Sequence, residues 1–122
     1  MVKKLPYFSV AATGWLVAIL IGTLTPATDL PGVAFNLNDK IVHLIIFLLF
    51  SLLLSLAIKK EKFLNISSRR IFTVVLTGTS IVAASTEILQ NFIPGRQMDI
   101  YDLVANEVGV FAGLLIYRLV YK

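Results

Sequence analysis

The sequence has no cysteine, one histidine, one tryptophan and few charges: Asp, Glu, Lys and Arg together make up 15% of its 122 residues. Lack of cysteine excludes disulfides, thiolate catalysis and Cys-ligated zinc. A lone histidine leaves no zinc motif, and no serine or cysteine nucleophile motif is present. Long polar stretches are scarce as well. The hydrophobic set is 57% of the chain and the mean hydropathy is +0.86, which excludes an ordinary soluble domain.

What is there in quantity is apolar sequence. Four runs, 5–24, 41–58, 71–89 and 103–121, are nearly free of charge. At about 1.5 Å rise per residue each crosses a hydrocarbon slab of about 30 Å. The expected fold is an all-α, four-helix membrane bundle, one domain over 1–122, too short for a separate catalytic domain. Turn and helix-stop residues separate the runs: Thr25, Pro26, Asp29, Pro31, Gly32, Asn36, Asn38 and Asp39 after the first, and Asn91, Pro94, Gly95 and Arg96 after the third. Lys3 and Lys4 ahead of an apolar stretch also begin cleaved signal peptides. The first run is longer than a usual signal core and no small-x-small site follows it, so it is read as a retained span.

The net charge of +4 does not indicate nucleic acid, because its placement fits a membrane topology. Lys3, Lys4, Lys59, Lys60, Lys62, Arg69, Arg70, Arg118 and Lys122 flank one side of the bundle, whereas only Lys40 and Arg96 flank the other. The expectation is a cell-membrane protein with both termini cytoplasmic. Six acids, Asp29, Asp39, Glu87, Asp99, Asp102 and Glu107, belong to the outward side, with the histidine, and Glu61 alone is cytoplasmic.

Ionisable groups in a span normally face the bundle interior or a wet cavity and are functional candidates. Asp39 and His43 share a helical face at the start of the second span. Asp39 also suits a helix cap, and His43 suits proton transfer, a ligand role or a buried hydrogen bond. The third span ends in Glu87-x-x-Gln90, and Thr77, Ser80, Ala84, Glu87 and Asn91 form a small, polar stripe that predicts an inward face. Glu87 there is either neutral through desolvation or ionised beside Arg96 or Lys40. The most specific pattern is Arg96-x-x-Asp99-x-x-Asp102-x-x-x-Asn106-x-x-Gly109-x-x-x-Gly113. From Asp99 onward it makes one helical face, acidic at its outer end and fit for close helix packing at Gly109 and Gly113. Asp99 also suits an N-cap. Arg96 suits a phosphate or carboxylate, an ion pair with Asp99 or Glu87, or a lipid phosphate. Together these residues predict a polar pocket at the outer leaflet.

Asp39-Lys40-x-x-His43, Glu87-x-x-Gln90 and the Arg96-to-Gly109 pattern resemble the VanZ-like membrane protein family over nearly the whole chain. That family takes its name from a protein associated with low-level teicoplanin resistance. The resemblance implies an intramembrane site acting on lipid head groups or lipid-linked cell-envelope precursors.

In the enzyme reading, Lys40 and Arg96 hold a phosphate, with Gln90, Asp99 and Asn106 binding or orienting. His43 and Glu87 are the acid/base pair, and Asp102 with Asn106 orients a base or ligates a metal. Asp99 and Asp102 are the metal candidates, and such oxygen ligands suit a divalent cation such as Mg²⁺, Mn²⁺ or Ca²⁺. The alternative is a non-catalytic binder that shields a lipid or excludes an antibiotic. A small multidrug transporter fits poorly, because the acids cluster on one side and the first span has none. The expected partner is a membrane lipid or lipid-linked precursor, not nucleic acid, and a homodimer stays open.

Overall fold

A computed structural model describes residues 5–26, 37–62 and 64–121. Lys3, Lys4, Asp29, Pro31, Gly32, Asn36 and Lys122, used in the topology and turn readings, lie outside them. The described residues form four helices: α1 (Tyr7–Leu24), α2 (Leu37–Glu61), α3 (Ser68–Gln90) and α4 (Ile100–Val120). All four are long and apolar enough to cross a membrane. Helices α2, α3 and α4 extend past the apolar runs because hydropathy marks the hydrocarbon slab, while capped and charged turns continue the backbone beyond it. Asp39 lies in the first turn of α2, Lys59 and Lys60 in its last, and Arg118 in the last turn of α4, each matching the helix dipole.

Side chains fix the helix starts. Ser67 Oγ accepts from Arg70 N at 3.4 Å to cap α3, and Asp99 Oδ1 accepts from Tyr101 N at 2.8 Å to cap α4. Pro6 offers α1 no such acceptor. Glu61, at the far end of α2, supplies it instead: its carboxylate accepts from Phe8 N at 2.6 Å and Ser9 N at 3.0 Å, and from the Ser9 hydroxyl.

The interior holds an apolar cluster including Phe47, Phe50, Ile71, Val75, Val110 and Leu114. Also buried are Ser51, Ser55, Thr79, Thr86, Glu87, Gln90, Asp102 and Asn106. Outside, Val10, Val17, Ile45, Ile81, Val108, Phe111 and Leu115 are exposed. An interior more polar than the surface is the arrangement lipid imposes, since small and polar side chains serve helix–helix contact.

The most extensive interface joins α2 to α4. Gly109 and Gly113 make it: a Cβ at Gly109 would collide with the Leu44 carbonyl, and one at Gly113 with the Leu48 carbonyl and Ser51 Oγ. Ser51 Oγ donates to Val110 O at 3.2 Å across this interface. On the other flank of α2, the Trp15 indole N–H donates to Ile46 O at 2.9 Å and docks α1.

The α3 stripe is a correction. Its buried row is Ile71, Val75, Thr79, Ala83, Thr86, Glu87 and Gln90, whereas Thr77 and Asn91 are exposed and Ser80 and Ala84 half-buried. Glu87 points inward as expected, but the helix presents a mixed apolar and hydroxyl row. Ser80 turns sideways, donating to Glu107 Oε2 at 2.8 Å.

Candidate functional site

The start of α2, the end of α3 and the start of α4 meet at one end of the bundle. Between α3 and α4 the chain turns at Pro94-Gly95, with Gly95 at φ 75° and Arg96 N donating to Ile93 O at 3.0 Å. That combination of Pro, left-handed Gly and a closing hydrogen bond is a type II turn. It brings Arg96 to Asp99 back over the helix ends and frames a cleft of about 520 Å³. Asp39, Lys40, Gln90, Arg96, Asp99 and Asp102 line it.

Lys40 Nζ donates to Asp99 Oδ2 at 2.7 Å and to Asp102 Oδ1, and lies 3.9 Å from Asp39 Oδ2. The Lys40 ammonium and the Tyr101 N–H hold the Asp99 carboxyl below the ordinary carboxylate range. Asp39 and Asp102 lie in the first turns of two helices whose positive ends converge.

His43 lies one turn deeper. Its Nδ1 is 2.9 Å from Asn106 Oδ1, an acceptor, so Nδ1 carries the proton of that bond. Asn106 is fully buried, and its Nδ2 donates to Glu87 Oε1 at 3.5 Å. Glu87, also buried, accepts from Asp99 N at 3.4 Å through its other oxygen. His43 and Glu87 are therefore linked through Asn106, their own separation being 3.9 Å. The imidazole's other face looks at two carboxylates: Nε2 is 3.6 Å from Asp39 Oδ1 and 3.6 Å from Asp102 Oδ2.

Of the residues singled out in the sequence, Lys40, His43, Glu87, Asp99, Asp102 and Asn106 form this connected network, with Gln90 buried on the cleft wall. Arg96 lines the cleft too, but it also binds α1: Nη2 donates to Gly22 O at 2.9 Å and Nε to Thr25 O at 3.4 Å. These are carbonyls of the C-terminal end of α1, where a guanidinium complements the dipole. Nothing in the sequence pairs Arg96 with α1. Of the metal candidates, Asp102 belongs to a group with Asp39 and His43 whose ligand atoms lie within 4.8 Å of one another. Asp99 does not join that group, and its oxygens serve Tyr101 N and Lys40. Asp39, legible as a cap, is the added member; its spacing of four from His43 is the signal for it.

A family model described as VanZ/LLP1 matches residues 8–121. The chain belongs to that family. No curated protein and no solved structure matches it. All the residues of the VanZ/LLP1 network lie within the matched region, as do the four helices but for the first residue of α1.

The orientation of His43 has a direct readout because no other histidine exists in the chain. In Asn106→Ala the Nδ1 proton loses its acceptor, and ¹⁵N spectra of the histidine-labelled protein should move from one dominant tautomer to a mixture. An unchanged spectrum would mean that Asn106 does not set the ring.

Proposed function

We propose that this multi-pass membrane protein acts on the phosphate-bearing head group of a membrane lipid or lipid-linked cell-envelope precursor, by hydrolysis or head-group transfer. The observation that carries this reading is the imidazole of His43, held by Asn106 on one side and facing on the other two carboxylates that line an open cleft. In the positive-inside arrangement both termini are cytoplasmic and the cleft opens at the outer leaflet of the cell membrane.

The reaction forms a bond from a water or alcohol oxygen to phosphorus, breaks the bond to the leaving oxygen, and passes one proton from the first oxygen to the second. His43, Glu87 and Asp102 are the reacting groups in this reading. Nε2 either takes that proton itself or holds a cation that acidifies the attacking oxygen. Both uses require a lone pair on Nε2, which the Nδ1–Asn106 bond favours. Lys40, Gln90, Arg96, Asp99 and Asn106 bind or position, with Lys40 exchanging a carboxylate for a phosphate oxygen.

Comparative mass spectrometry of lipids and lipid-linked precursors, in cells expressing the wild type or His43→Asn at equal membrane abundance, tests this. A species whose level changes with the wild type alone supports the enzyme, with turnover falling on the order of 10²–10⁴-fold in the variant. Teicoplanin susceptibility of the same cells shows whether that change touches glycopeptide action. A protein that binds and shields the head group gives the other result: lipid levels alike in both strains, with head-group binding retained by His43→Asn.

A further inference from the structure

Four carboxylates, Asp39, Glu87, Asp99 and Asp102, share the site with two permanent cations, Lys40 and Arg96. A phosphate entering this site meets carboxyl groups as well as these cations. Asp39 and Asp102 also divide their oxygens in a particular way. Asp39 Oδ2 and Asp102 Oδ1 face the Lys40 ammonium, whereas Asp39 Oδ1 and Asp102 Oδ2 both face His43 Nε2. The Nε2 distances, 3.6 Å each, are longer than hydrogen bonds. Asp102 is nine-tenths buried and His43 largely so, and Asp39 and Asp102 both line the cleft.

We infer that Asp39 Oδ1, His43 Nε2 and Asp102 Oδ2 are the protein ligands of a divalent cation. The inference deepens the head-group reading, on which the phosphate argument rests. The geometry itself is independent of that reading. One nitrogen and two carboxylate oxygens are a borderline-to-hard donor set, suited to Mn²⁺ and related cations. The Nδ1–Asn106 bond is the outer-shell support such a histidine ligand uses, fixing the ring with its lone pair toward the metal. Three protein ligands leave positions for water or a phosphate oxygen. A bound divalent cation would draw a phosphate to a site that carries carboxyl groups as well as Lys40 and Arg96.

The test uses the full chain in detergent with Mn²⁺ as the only added ligand, so that neither lipid nor activity enters it. Electron paramagnetic resonance titration should show one saturable Mn²⁺ per chain, weakened at least 10-fold in Asp39→Asn and Asp102→Asn. Glu107→Gln, on the α3-facing side of α4, should bind within twofold of wild type. In the wild type, Mn²⁺ should broaden the single histidine ring signal beyond detection, and EDTA should restore it. No saturable binding above protein-free micelles overturns the inference. So does binding that leaves the ring signal sharp, a result that does not depend on whether the variants fold. Failure here with a wild-type-specific lipid change in cells removes the metal and keeps the head-group reading; metal binding without a lipid change does the reverse.

Discussion

Gly109→Ala should unfold the bundle or leave it separable by mild heating in detergent, with a loss of about 3 kcal/mol or more, the upper end for overpacking. The added methyl meets backbone, the Leu44 carbonyl, and not the end of a flexible side chain, so no rotamer change relieves it. Relief requires α4 to move away from α2 along their largest interface. Gly113→Ala meets the Leu48 carbonyl and Ser51 and should behave the same way. Gly14→Ala and Gly78→Ala are the controls: nothing lies within 4 Å of either new Cβ, and helix propensity favours Ala by up to about 1 kcal/mol. Melting curves followed by size-exclusion chromatography decide the matter. Equal melting of Gly109→Ala and Gly78→Ala would show that α2 and α4 do not pack through glycine. The site depends on the same contact, because parting α4 from α2 separates Asn106 from His43 and Asp102 from Lys40.

Asp102→Asn should leave the protein folded and remove turnover, by on the order of 10²–10⁴-fold for loss of a reacting group. Asn keeps the shape and one acceptor oxygen for Lys40, and Lys40 retains Asp99, so the stability cost should be about 1–3 kcal/mol. What disappears is one of the two carboxylates facing His43 Nε2, the more buried of them. Asp99→Asn provides the contrast. Asn is as good an N-cap as Asp, and Asp99 is the more exposed of Lys40's two close partners, so its loss should weaken activity far less. Turnover of the species identified by mass spectrometry, measured at matched membrane abundance, separates the two. Comparable losses in both variants would mean that the Lys40 ion pairs matter as a unit and that Asp102 has no separate part.

The parts of this architecture that follow from short-range spacing were legible in the sequence. His43 one turn after Asp39, Asn106 one turn after Asp102, and Gly109 and Gly113 on the same row can be placed on helix faces without knowledge of the neighbours. The inward direction of Glu87 was legible for a similar reason, since a carboxyl in a span avoids lipid. Its helix was misread in detail because small residues in lipid serve either packing or surface: Thr77 is exposed, while the buried row runs through Thr79 and Thr86. Contacts between distant segments carried no local signal. Glu61 reads as an ordinary loop acid until α1 is seen to lack its own cap. Arg96 reads as an anion site or an ion-pair partner, and its further bonds to the end of α1 join segments too far apart in the chain for spacing to reveal.

The docking of α1 gives the molecule an optical reporter of its own. Trp15 is the only indole in the sequence, and its N–H is spent on the carbonyl of Ile46, one turn of α2 beyond His43. Indole emission from this chain therefore has a single origin, fixed to the helix that carries the imidazole. Shifts in its wavelength or anisotropy register the coupling of α1 to α2 without a label, in a protein whose site otherwise offers no chromophore but the tyrosine at its rim.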